Sequence, residues 1–143
     1  MREIVILGST GSIGVQALEI VAAHPTKFKV VGLSAGSRNI DLLMEQARRF
    51  HVPIVATTGD ASRYKNQGIE IIDGENSSTV LAALTCDIVL NGITGSIGLG
   101  PTLAAVAAGN IVALANKESL VAGGDLVMAY GREKIIPVDS EHS

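Results

Sequence analysis

Tryptophan is absent from this chain, aromatic residues make up only 3% of it, and a single cysteine, Cys86, stands among 143 residues. A lone thiol excludes any intrachain disulfide, and its place just before Ile88-Val89-Leu90 reads as a small core position rather than a nucleophile. With so few rings, the core must be built from Val, Ile, Leu and Ala, the palette of parallel sheets covered by helices on both faces. An excess of positive charge is lacking too. The 11 Lys and Arg against 14 Asp and Glu leave a formal net charge of -3, and Arg48-Arg49 is the only adjacent basic pair, so no electrostatic footprint for nucleic acid exists. Long apolar runs are also missing. The longest weakly polar stretch, Thr102 to Ala115, is broken by Gly109-Asn110 and falls short of the roughly 20 residues of a membrane span. The start, Met1-Arg2-Glu3, runs directly into Ile4-Val5-Ile6-Leu7 without a signal-peptide apolar region or cleavage site, and the expectation is a cytoplasmic protein.

What the chain does have is apolar material, 47% of residues with only 17% charged, ample for one buried core. Short β-rich runs predict strands at Glu3 to Gly8, Lys29 to Ser34, Pro53 to Thr57, Ile69 to Ile72, Asp87 to Asn91, Asn110 to Ala115 and Lys134 to Val138. Between them, Ile40, Leu43, Ala47 and Phe50 fall at helical spacing in Asn39 to His51, with Asp41 in the first turn and Arg48-Arg49 in the last, as the helix dipole favours. Further helices are predicted at Ser12 to Ala23, Ser77 to Leu84, Pro101 to Ala108 and Glu118 to Tyr130. The polar stretch Thr58 to Gly68 reads as a surface excursion. This alternation predicts an α/β fold, a Rossmann-like, doubly wound, mostly parallel sheet with helices on both faces and ligand sites at the strands' C-terminal ends.

Four features fall at such ends. Gly8-Ser9-Thr10-Gly11-Ser12-Ile13-Gly14 joins the first strand to a helix, where backbone amides and the positive helix end can receive a pyrophosphate. Its spacing is GxxGxxG, and glycine is also what any tight βα turn needs. The pentapeptide Thr-Gly-Ser-Ile-Gly recurs at residues 94–98, which we read as shared turn chemistry rather than a repeat. After the second strand, where an NAD-selective domain carries a carboxylate about 20 residues beyond the glycine motif, the chain reads Ser34-Ala35-Gly36-Ser37-Arg38-Asn39. Arg38 offers a planar fork for a 2'-phosphate, with Ser37 and Asn39 as neutral donors, which favours NADP; Asn39 capping the next helix is compatible with that. The third feature is Asn116-Lys117-Glu118-Ser119, polar residues ending a buried strand, where a lysine can hold a substrate oxygen and Glu118 suits a helix N-terminus. The fourth is Asp139-Ser140-Glu141 after the last strand, two carboxylates on one side of an extended chain, suited to Mg2+ or Mn2+ given further oxygen ligands. His24 and His51 sit at helix ends, where an imidazole can satisfy the last carbonyls.

Taken together, Gly8 to Gly14, Leu114-Ala-Asn-Lys-Glu-Ser119 and Val138-Asp-Ser-Glu-His-Ser143 resemble, in order and spacing, the 1-deoxy-D-xylulose 5-phosphate reductoisomerase family. The resemblance covers the whole chain but only the N-terminal part of the family's polypeptide, so residues 1–143 are expected to be an NADPH-binding domain ending at the start of the catalytic region, binding NADPH without turnover by itself. It implies a metal-dependent rearrangement of a sugar phosphate and its reduction by NADPH to 2-C-methyl-D-erythritol 4-phosphate in the non-mevalonate isoprenoid pathway, with Mg2+, Mn2+ or Co2+ as the ion. Carried over by motif, it implies cofactor contacts from Thr10, Gly11, Ser12, Ile13, Gly36, Ser37, Arg38, Asn39, Asn116 and Glu118. By the same route Lys117, Ser140 and Glu141 would touch substrate and Asp139 and Glu141 would ligate the metal; the full-length enzyme would be a homodimer. Two other readings stay open on the residues alone: another NADP-dependent dehydrogenase, of the semialdehyde or homoserine type, and a non-catalytic NADP-binding module.

Overall fold

The computed structural model describes residues 1–93, 99–114 and 135–137. Seven strands form one sheet: β1 (Arg2–Leu7), β2 (Phe28–Ala35), β3 (Ile54–Thr57), β4 (Glu70–Asp73), β5 (Ile88–Asn91), β6 (Ile111–Leu114) and β7 (Ile135–Pro137). Their order is β4-β3-β2-β1-β5-β6-β7, and every neighbouring pair is parallel. The chain therefore starts in the middle, winds outward to β4, crosses back over β1 and winds outward again to β7. That reversal between β1 and β5 is the switch point at which doubly wound sheets bind ligands.

Among the described residues the α-helices are α1 (Ser12–Ala23), α2 (Ile40–Arg49), α3 (Ser77–Ala82) and α4 (Leu99–Ala107). Because successive strand residues face opposite sides, β1 sends Val5 and Leu7 into one core with Leu81 of α3, Ala105 of α4 and Val112, and Ile6 into a second with Leu18 of α1 and Leu43, Met44 and Ala47 of α2. Helices thus cover both faces, as the apolar, non-alternating strands required.

The helix from Ser12 to Ala23 has the predicted bounds, and the strands lie within a residue of theirs. The helix predicted for Glu118 to Tyr130 lies outside the described residues. Two local expectations are corrected. Asn39 occupies the position before α2 but makes no side-chain capping bond, since the 3-10 turn Ser37–Asn39 already leads the chain into the helix. At His24 and His51 the closing bonds come from the backbone, His24 N–H to the Val21 carbonyl at 3.0 Å and His51 N–H to the Arg48 carbonyl at 3.4 Å, not from the imidazoles. Thr58 to Gly68 is a surface excursion with an anchor, for Ala61 within it is buried. Cys86 is half-buried against the first core, and burial first, then the charges of Asp87 and Glu3, push its thiol up to about 11.

Candidate dinucleotide site

The glycine turn sits at the C-terminal end of β1, at the switch point. Gly8 has φ +74°, a left-handed conformation that a side chain would strain, and a Cβ there would lie 3.1 Å from the Gly92 carbonyl carbon beyond β5. The two strand ends are thus closed backbone to backbone, with Gly92 N–H donating to the Leu7 carbonyl at 2.9 Å. Gly14 is tighter still. A Cβ there would stand 2.5 Å from both the Gly8 carbonyl oxygen and Ser9 Cα, so the first turn of α1 lies directly on the loop that precedes it.

At the start of α1, Gly11 is extended, makes no side-chain cap, and is followed by a first turn with no acidic residue. The first N–H groups of a helix have no partner within it, and together they carry a partial positive charge. Here no carboxylate of the turn answers that charge, and Gly11 and Ser12 are exposed. This is the chemistry of an anion receptor, and the glycines leave no side chain in the way.

A cavity of about 190 Å³ continues from the turn across the strand ends. Gly8, Ser34, Gly36, Thr58, Thr79 and Ile93 are among the residues that line it. Beyond it, Ser37, Arg38 and Asn39 are all exposed, and among the described residues no carboxylate pairs with Arg38. Gly59 packs against this segment so closely that a Cβ would come within 2.8 Å of Ser37 Cα. The segment is also pinned from the Thr58 to Gly68 side, where Arg63 and the Tyr64 hydroxyl both donate to Asp41 in the first turn of α2. Tyr64's hydrogen bond, and then Arg63's, hold the Asp41 carboxyl below the usual aspartate range.

The structure therefore brings the expected cofactor residues Thr10 to Ile13 and Gly36 to Asn39 to one edge of the sheet, past the C-terminal ends of the neighbouring strands β1 and β2 and beside the switch point. Asn116, Lys117, Glu118, Asp139, Ser140 and Glu141 lie outside the described residues, as does the second Thr-Gly-Ser-Ile-Gly at 94–98. Among the described residues no cluster of three His, Cys, Asp or Glu side chains is placed to hold a metal, and no helix is long and apolar enough to cross a membrane. Sequence reasoning missed part of the cavity's lining. Thr58 directly follows β3 and Ile93 lies two residues past β5, so the rule that ligands gather at strand ends could have found them; Thr79, inside α3, carried no such signal.

The 1-deoxy-D-xylulose 5-phosphate reductoisomerase model matches residues 4–124. Among curated proteins, the enzyme of that name from Beutenbergia cavernae is 51% identical over 99% of this chain, which spans 39% of the relative's length. Among solved structures, a DOX-P reductoisomerase in complex with NADPH, fosmidomycin and magnesium superposes with a TM-score of 0.89 at 36% identity, over 99% of this chain and 37% of the other. The Zymomonas mobilis reductoisomerase in complex with NADPH gives 0.88 at 33% identity, over 99% and 39%. A homoserine dehydrogenase from Thiobacillus denitrificans, at 18% identity and a TM-score of 0.60 over 96% and 28%, shares the fold alone.

Proposed function

This chain belongs to the 1-deoxy-D-xylulose 5-phosphate reductoisomerase family, and from that premise we propose that residues 1–143 are its NADPH-binding domain, leading into the catalytic region. The observation that carries the reading is the uncapped, carboxylate-free start of α1 at the switch point, with Arg38, which pairs with no carboxylate among the described residues, just past the end of the neighbouring strand β2. The turn fits a pyrophosphate because Gly8 and Gly11 carry no side chain to hold it off the backbone, and Gly36 has nothing within 4 Å of where a Cβ would stand.

In this reading Thr10, Gly11, Ser12 and Ile13 receive the pyrophosphate with their amides and hydroxyls. Gly36, Ser37, Arg38 and Asn39 hold the adenosine end, Arg38 by a forked pair of hydrogen bonds to the 2'-phosphate. Asn116 and Glu118 complete the cofactor contacts, Lys117, Ser140 and Glu141 hold the sugar phosphate, and Asp139 and Glu141 ligate a divalent ion, Mg2+, Mn2+ or Co2+. Bound NADPH supplies hydride and the ion supplies polarisation of substrate oxygens, the chemistry needed to rearrange 1-deoxy-D-xylulose 5-phosphate and reduce it to 2-C-methyl-D-erythritol 4-phosphate. The protein's own contribution is to orient these groups at the strand ends. The intact enzyme works as a cytoplasmic homodimer.

Titrating the chain with NADPH and NADH by nicotinamide fluorescence, before and after Arg38→Asp, tests the assignment. A charge-assisted fork is worth about 1.5–3 kcal/mol, so NADPH should be preferred by roughly ten- to a hundredfold and the preference should vanish in the variant. Equal binding of both cofactors by the parent chain would remove Arg38 from the site.

A further inference from the structure

Ser9, in the middle of the glycine turn, has no exposed surface, and a buried serine must find partners for its N–H, carbonyl and hydroxyl. β2 supplies one of them: Ser9 N–H donates to the Ser34 carbonyl at 2.8 Å. The other two come from one side chain. The Ser9 hydroxyl donates to Gln46 Oε1 at 2.8 Å, and Gln46 Nε2 donates to the Ser9 carbonyl at 3.0 Å. Gln46 is only 8% exposed, on the apolar face of α2 beside Leu43, Met44 and Ala47. An amide there, 37 residues from the turn in sequence, is costly to bury unless both its ends are satisfied, as they are.

We infer that Gln46 is a positioning residue for the dinucleotide's pyrophosphate, an inference that rests on the NADPH reading of the site. The described peptide bonds are all trans, and in a planar trans peptide the C=O and N–H point in opposite directions. Holding the Ser9 carbonyl against α2 therefore turns the Thr10 N–H away from α2, onto the open side of the turn. Released, the same peptide can rotate and present a carbonyl oxygen to the phosphates, replacing attraction with repulsion. Gln46 also belongs to the helix that begins at Ile40, directly after Arg38 and Asn39. One side chain thus ties the phosphate turn to the segment assigned to the 2'-phosphate and fixes the spacing between the two anionic groups.

The test separates those two ends of the ligand. Gln46→Met keeps the length and apolar bulk of the side chain and removes both hydrogen bonds. NADPH affinity is read by nicotinamide fluorescence, and affinity for adenosine 2'-monophosphate, which has the ribose phosphate but no pyrophosphate, by NMR shift titration. NADPH should bind about tenfold more weakly while adenosine 2'-monophosphate stays within about twofold. The same split is expected of Gln46→Glu, which keeps an acceptor for the Ser9 hydroxyl but loses the donor to its carbonyl. Val52→Ala, a buried core change beyond the end of α2, should lower stability and leave both affinities alone. Equal weakening of both ligands in the Gln46 variants, or no weakening of NADPH, would make Gln46 a stability residue only. A parent chain that binds neither ligand would overturn the NADPH reading, and this inference with it.

Discussion

Gly14 is where the turn is least able to accommodate change. A Cβ added there would stand 2.5 Å from the Gly8 carbonyl oxygen and Ser9 Cα and 2.7 Å from the Ser9 carbonyl carbon. All three are backbone atoms, so no rotamer change relieves the overlap, and the loop must retreat by about 1 Å to restore ordinary contact at roughly 3.5 Å. Two terms oppose each other in Gly14→Ala. Alanine is favoured over glycine inside a helix by up to about 1 kcal/mol, whereas forced overpacking costs about 1–3 kcal/mol. The net expectation is a loss of about 1–2 kcal/mol, read as a fall of about 3–7 °C in Tm. Binding should suffer more, because a displacement of about 1 Å in positioned groups can cost about a hundredfold. The assay is thermal unfolding alongside NADPH titration, with Gly100→Ala as the reference. At Gly100 a Cβ meets only Thr79 Oγ1 at 3.4 Å, and the change should not destabilise. A Gly14→Ala chain that binds NADPH within about twofold of the parent and melts with it would refute the argument, since the overlap would then have been absorbed at no cost.

Other residues make further demands on the fold. Asn110, only 1% exposed, accepts from Cys86 N–H at 3.1 Å and donates to the Ala82 and Leu84 carbonyls at 3.2 and 2.7 Å, joining the end of α3 to the start of β6. Asn110→Ala strands all three groups, at about 1 kcal/mol each, so urea unfolding should show a loss of about 3 kcal/mol; a loss under about 1 would mean that the groups find other partners. At Cys86, burial raises the thiol from an ordinary 9.0 to about 11, which leaves the neutral form dominant until strongly alkaline pH. Alkylation by iodoacetamide at pH 8 should run about a hundredfold slower than for free cysteine and accelerate as pH rises; a rate within about threefold of free cysteine would contradict this.

The sheet was legible because its signal is compositional as well as periodic. Val5, Ile6 and Leu7 are all fully buried, so β1 shows no alternation and could only be a strand covered on both faces. Helix α2 was legible for the opposite reason: most of its apolar residues fall on one stripe, with Leu43 and Ala47 buried and Asp41, Glu45 and Arg48 exposed, although Leu42 is exposed and Gln46 buried. The two segments proposed to hold the cofactor stand out by position alone, since Gly8 to Gly14 and Ser34 to Asn39 both follow apolar runs. What escaped was tertiary pairing between polar residues. Gln46 on a helix surface and Ser9 in a turn are ordinary in sequence, and only the packing of α2 against the end of β1 makes them partners. Asn39 misled for a related reason: the residue type favours a cap, but the preceding 3-10 turn changes the entry into α2, and its side chain makes no capping bond.

That a dinucleotide lies across the ends of β1 and β2 can be read residue by residue by titrating NADPH into the isotopically labelled chain and following its backbone amides by NMR. Shifts should concentrate at Thr10, Gly11, Ser12, Gly36, Ser37 and Arg38, with the largest at the turn amides that face the pyrophosphate. Shifts confined to the groove between α1 and α2, around Val15, Leu42 and Arg49, or no shifts at all, would contradict it.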